Sequence, residues 1–141
     1  MPVSAESLEQ RQHFIKMNGR EVFKFAVKAM GEGSLEVMKA AGIEKEQLDF
    51  LVPHQANTRI IELAAKKLNL PMEKVQVNLN RYGNTSTGTV PIALYEAVKQ
   101  GKLKDGDNVV LVGFGGGLTW AAAAMRWYDK GGKPHNTDKT L

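Results

Sequence analysis

The 141-residue sequence contains no cysteine. That absence excludes disulfides, thiolate metal ligands and a cysteine nucleophile within this polypeptide. Long hydrophobic runs are missing too: Asn108 to Phe114 and Leu118 to Trp127 are the longest, far short of the roughly 20 residues that a membrane helix needs. The N-terminus lacks the apolar stretch of a secretory leader, so a soluble, cytoplasmic protein is expected. Histidine, aspartate and glutamate nowhere take up metal-ligand spacing. A dinucleotide fingerprint fails as well, because Gly113 and Gly115 fit but Leu118 occupies the third glycine position, with too little chain beyond it for a further strand-helix-strand unit. No cofactor, no nucleic acid and no membrane partner is therefore expected. The net charge of +4 suits an acidic partner but is equally ordinary for a soluble protein.

What is present is enough for one core, with 43% of the residues hydrophobic. Residues 1–16 read as a polar lead-in with a short strand near His13 to Met17, residues 17–128 as the domain, and residues 129–141 as a flexible tail. Apolar residues from Glu21 to Ala41 follow a helical period, and Gly31 and Gly33 predict a bend or break before the helix stops at Gly42. Leu48 to Val52 reads as a strand ended by Pro53, followed by a helix capped by Asn57 and running through Leu68. Val75 to Leu79 reads as a second strand, Asn80 to Gly88 as a polar loop, and Val90 to Gln100 as a helix with Pro91 in its first turn. After the Asp105-Gly-Asp107 turn, Asn108 to Phe114 and Leu118 to Trp127 predict two strands joined by Gly115-Gly-Gly117. The alternation implies an α/β fold with a mixed sheet covered by helices, mainly parallel and closed by an antiparallel pair.

Three segments could carry chemistry. In Pro53-His-Gln-Ala-Asn57 an imidazole stands where a buried strand gives way to a helix, a place where α/β folds present ligand-facing groups. With its other ring nitrogen held by a backbone group, such a histidine can donate one oriented hydrogen bond to a developing oxyanion; it can equally be structural. In Tyr82-Gly-Asn-Thr-Ser86, Asn84 is either a turn residue or an uncharged donor suited to an enolate oxygen. Gly113-Phe-Gly-Gly-Gly-Leu118 permits close approach of backbone N–H groups to a substrate, or forms a tight hairpin. Arg59, Lys66 and Lys67 put positive charge on one helix, which can be a docking face or a solvated face with Glu62 pairing Lys66. His13 and His135 are assigned no role.

In order and spacing, Val52-Pro-His-Gln-Ala-Asn57, Arg81-Tyr-Gly-Asn-Thr-Ser86 and Gly113-Phe-Gly-Gly-Gly-Leu-Thr-Trp120 resemble the 3-oxoacyl-ACP synthase III family, and Gly19 to Phe25 looks like another of its segments. The resemblance spans about Met17 to Trp127 and implies the C-terminal half of a thiolase-like fold, whose N-terminal half holds the cysteine nucleophile. It implies an acyltransferase that starts fatty acid synthesis by decarboxylative Claisen condensation of an acyl-CoA primer with malonyl-ACP. His54 and Asn84 would then stabilise the malonyl enolate, and Gly116 would give an N–H to the oxyanion hole of acyl transfer. Gly19, Phe23, Ala56, Asn57 and Ile60 would line the pantetheine tunnel, and Lys24, Arg59, Lys66 and Lys67 would meet acyl carrier protein. The expected partners are acyl carrier protein, the acyl-CoA and malonyl-ACP substrates, the N-terminal half of the synthase, and further copies in a homo-oligomer. Lacking cysteine, the chain is expected to be inactive alone, as a piece of a working synthase or one product of a divided gene. The alternatives are a noncatalytic carrier-protein docking or dimerising module of the same fold, and another thiolase-fold synthase of polyketide or quinolone type.

Overall fold

The computed structural model describes residues 3–128. Its core is a three-stranded mixed sheet between two helical layers. Helix α1 (Ala5–Glu9) leads to the long α2 (Gly19–Ala40), strand β1 (Phe50–Pro53), α3 (Thr58–Lys67), the one-turn α4 (Leu79–Tyr82), α5 (Thr89–Lys99), β2 (Asn108–Gly115) and β3 (Thr119–Arg126). In the order β1-β2-β3, the first pair is parallel and the second antiparallel. Strand residues alternate between the two faces. Leu51, Val110 and Val112 are buried with Met30, Met38, Ile60, Ile61 and Ala64 of α2 and α3, whereas Phe50, Val52 and Val109 meet Ala93 and Ala97 of α5. Among the described residues no helix is long and apolar enough to cross a membrane.

Most of the expected elements form, including the α5 helix with Pro91 in its first turn and the glycine-linked β2–β3 hairpin. Asn57 caps α3 by accepting the Arg59 N–H at 2.9 Å, and Gly42 takes φ 67° just beyond α2. Three expectations fail. No strand forms near His13 to Met17; instead Ser4 opens α1 through a capping box with Ser7, and residues 15–18 stay irregular. The tail from Asp129, with His135, lies outside the described residues.

The second failure is the break at Gly31, because α2 runs unbroken for 22 residues. Its glycines serve packing. A Cβ on Gly31 would stand 2.5 Å from Lys67 Cδ, and one on Gly33 would stand 2.7 Å from the Trp120 ring. Each glycine costs roughly 1 kcal/mol of helix propensity, which the close approach of α3 and β3 to α2 offsets.

The third is the strand at Val75 to Leu79, reduced to a single parallel bridge between Leu51 and Val75. A side chain takes over the pairing. Gln55, fully buried, donates from Nε2 to the Pro53 and Gln76 carbonyls at 2.8 and 3.0 Å and accepts the Asn78 N–H at 2.9 Å. Those bonds satisfy backbone groups that a neighbouring strand would otherwise meet. The chain then turns directly into α4.

The Gly33 contact gives a first test. Gly33→Val adds branched bulk against the Trp120 ring, and we expect a loss of about 1–3 kcal/mol in unfolding free energy, typical of overpacking. A denaturant titration followed by tryptophan fluorescence measures it.

Candidate functional site

Beyond Pro53, sheet pairing continues for one residue, because the His54 N–H donates to the Val112 carbonyl at 2.8 Å. His54 therefore stands at the C-terminal end of the parallel pair, beside β2. Its side chain is buried, with the ring edge-on to Phe114 at 5.1 Å between centroids and 84° between planes. The ring nitrogen Nδ1 is hydrogen-bonded to Thr89 Oγ1. Thr89 is the first residue of α5, so the partner is a helix-start hydroxyl and not the backbone group expected. Burial lowers the His54 pKa from 6.5, because an imidazolium loses hydration there.

Asn84 is exposed on the segment between α4 and α5. Its Oδ1 accepts the Ser86 N–H at 3.0 Å. A backbone N–H can only donate, so the oxygen must face it and the amide Nδ2 is left unspent. Ser86 in turn offers its carbonyl to Thr89 Oγ1 at 3.1 Å. Asn84, Ser86, Thr89 and His54 thus form one continuous hydrogen-bonded chain, which brings the two sequence candidates together.

A second cluster holds this segment in place. Glu96, buried on α5, accepts from Asn78 Nδ2 at 2.9 Å, Arg81 at 2.7 Å and Tyr82 Oη at 2.8 Å. The Asn78 and Tyr82 hydrogen bonds lower the Glu96 pKa from 4.5, since they favour the ionised form. Both ends of α4 are tied to α5 just ahead of Asn84. Sequence patterning gave no hint of Glu96 or Thr89: one falls within an ordinary amphipathic helix and the other reads only as a helix-start hydroxyl.

The other candidates are placed as follows. The glycine triplet forms the β2–β3 hairpin, where the Gly116 carbonyl accepts from Thr119 Oγ1 at 3.0 Å and Gly117 takes φ 143°. The Gly116 N–H donates to no acceptor among the described residues. Gly19 begins α2 in open space, Phe23 is half-buried beneath Arg59 with 5.7 Å from guanidinium carbon to ring centroid, and Ile60 lies in the core. Ala56 is half-buried, and Asn57 has committed its Oδ1 to the α3 cap. Lys24 pairs with Glu21 at 2.9 Å and Lys67 with Glu32 at 3.1 Å. No Glu62–Lys66 ion pair forms among the described residues, and Lys66 is exposed.

Two cavities of about 330 and 250 Å³ lie by Asn108 and by Asp49, toward the opposite strand ends from His54. Among the described residues no group of three His, Asp or Glu could hold a metal ion.

The mixed sheet layered with helices, with His54 at a strand end and Asn84 on the neighbouring loop, is that of a thiolase-like domain, the class of its structural neighbours. The family model for the C-terminal part of 3-oxoacyl-[acyl-carrier-protein] synthase III matches residues 38–127, and the chain belongs to that family. It is 58% identical over 120 residues to the beta-ketoacyl-[acyl-carrier-protein] synthase III of Bacillus pumilus, covering 85% of this chain and 38% of that protein. The solved structure of the Thermus thermophilus synthase III is similar at TM-score 0.78 and 56% identity, over 80% of this chain and 35% of that one. The Pseudomonas aeruginosa structure gives 0.81 and 41%, over 91% and 39%. The chain thus spans less than two-fifths of these relatives.

The His54 and Glu96 environments predict the acid response of the fold. Above 6.5 the ring is neutral in both folded and unfolded chains; below it the unfolded chain takes up the proton first, so stability falls as pH drops through the lowered folded pKa. Glu96 extends the decline in the same direction below 4.5, its stabilisation being complete above that value. Denaturant midpoints between pH 7.5 and 5.5 should fall less in His54→Gln than in the unaltered chain.

Proposed function

We propose that this chain supplies the malonyl-binding half of a 3-oxoacyl-ACP synthase III site. The single observation behind this reading is the chain of hydrogen bonds from Asn84 through Ser86 and Thr89 to His54. It holds an amide donor and an imidazole on one framework, as stabilising a thioester enolate requires. The reaction is decarboxylative condensation of malonyl-ACP with an acyl group taken from acyl-CoA onto a cysteine. Asn84 Nδ2 and His54 Nε2 would hold the malonyl thioester oxygen as its carboxylate leaves, and the Gly116 N–H would serve the preceding acyl transfer. Because the sequence has no cysteine, the nucleophile must come from a cysteine-bearing N-terminal half.

The test is reconstitution. The 141 residues alone should give no condensation product from acetyl-CoA and malonyl-ACP, and product should form once the N-terminal half is added. In the reconstituted enzyme, Asn84→Ala should lower the rate about 10²- to 10³-fold, the usual loss for one oxyanion donor. Condensation by the isolated chain, or no loss in that variant, would overturn the reading.

Carrier protein would dock on the α2–α3 face, steered by charge. The ion pairs divide its residues: Lys67 is committed to Glu32 and packed over Gly31, whereas Lys66 is exposed and makes no ion pair among the described residues. Lys66→Glu should therefore weaken carrier-protein binding severalfold, more at low salt than at high, without lowering thermal stability. Binding that ignores the reversal removes Lys66 from the interface. Exposed Tyr95, Leu118 and Trp120 mark apolar surface for the missing half or for further copies of the chain. Light scattering should find the isolated chain larger than a monomer.

A further inference from the structure

The Thr89 hydroxyl stands between two groups that want different things from it. The Ser86 carbonyl can only accept, and Thr89 Oγ1 donates to it at 3.1 Å. A hydroxyl has one proton. With that proton committed, Oγ1 can meet His54 Nδ1 only through a lone pair, so the ring must bring the hydrogen. We propose that Thr89 is a positioning residue that fixes neutral His54 as the Nδ1–H tautomer and leaves Nε2 a bare acceptor.

The surroundings support the assignment. Thr89 is buried, at 2% exposure, which limits competition from solvent for its hydroxyl. Among the described residues no other side chain hydrogen-bonds the ring, which also meets Phe114 edge-on. Ser86 is held from its other side through the N–H it gives to Asn84, so its carbonyl is a fixed acceptor for Thr89. The Asn84 segment thereby sets the hydroxyl, and the hydroxyl sets the ring.

The tautomer stands on these hydrogen bonds; its bearing on condensation rests on the function proposed above. A neutral ring with Nδ1–H cannot offer a hydrogen bond from Nε2. To donate from Nε2, His54 must first take up a proton there from solvent, against the burial that favours its neutral form, while Asn84 donates in every protonation state. Thr89 thus separates the two donors into one that is always ready and one that must first be protonated.

Nitrogen-15 NMR of the isolated chain at pH 8, above the ordinary histidine pKa, reads the tautomer directly and needs neither substrate nor the N-terminal half. His54→Gln assigns the signals. We expect Nδ1 in the protonated, pyrrole-type range and Nε2 in the unprotonated, pyridine-type range. Thr89→Ser should keep that pattern, while Thr89→Val and Thr89→Ala should lose it and move toward the Nε2–H form that histidine otherwise prefers. A purely packing role for Thr89 would leave the pattern unchanged in the folded variants. Pyridine-type Nδ1 in the unaltered chain, or an unchanged pattern in whichever hydroxyl-free variant folds, overturns the proposal. Because no turnover is involved, inactivity of the reconstituted enzyme would count against the proposed condensation and not against the tautomer.

Discussion

The parallel pairing of β1 with β2 is the constraint on which the rest of this fold depends. Its register sets Pro53 against Val112, and the next residue still follows it, with the His54 N–H on the Val112 carbonyl. Proline is tolerable there because β1 is an edge strand that bonds β2 through alternate residues: with the His54 N–H on β2, the nitrogen of Pro53 faces the open edge. Two chain segments more than fifty residues apart therefore end side by side. Everything with chemical potential gathers at that end: His54 after β1, Phe114 and the glycine hairpin on β2, and the start of α5 packed beneath.

The pairing alone does not place Asn84, whose segment belongs to no sheet. Its position comes from side chains that act as tie-points. Gln55 replaces the missing strand by bonding to backbone on both sides, and Glu96 draws Asn78, Arg81 and Tyr82 onto α5. A buried carboxylate with three donors is well satisfied; with fewer it would be a liability, since unpaired buried charge is costly. The amide Nε2 of Gln76 shows the opposite case, as a buried donor without a hydrogen-bond partner among the described residues. The polar interior is thus built around the loop and not around the helices that border it.

Local patterning carried the regular elements, and the motifs at residues 53–57, 82–86 and 113–118 carried the candidate site. What escaped was long-range and polar. Val75 to Leu79 has the composition of a strand, yet Gln55, about twenty residues away, takes its hydrogen bonds. Gly31 and Gly33 look like helix breakers because propensity is local, whereas Lys67 and Trp120, which require them, are distant in sequence. The His54–Thr89 bond spans 35 residues, and no period or spacing encodes it. In each case a residue's role was set by a partner outside any window that periodicity can scan.

The pairing of an asparagine with a histidine also has a physical logic of its own. An amide donates a hydrogen bond without changing charge, so the Asn84 contribution does not depend on pH or on a tautomer. A histidine can do more but must be told which nitrogen carries the proton. In this site the instruction comes from a hydroxyl whose own proton is committed to the loop that carries the asparagine. Orientation of the amide and chemical state of the ring are consequently not independent: a movement of Ser86 that freed Asn84 would also release the hydroxyl to turn toward Nδ1. The short segment from Asn84 to Thr89 therefore acts as one unit, held from outside by Glu96 and read out at His54.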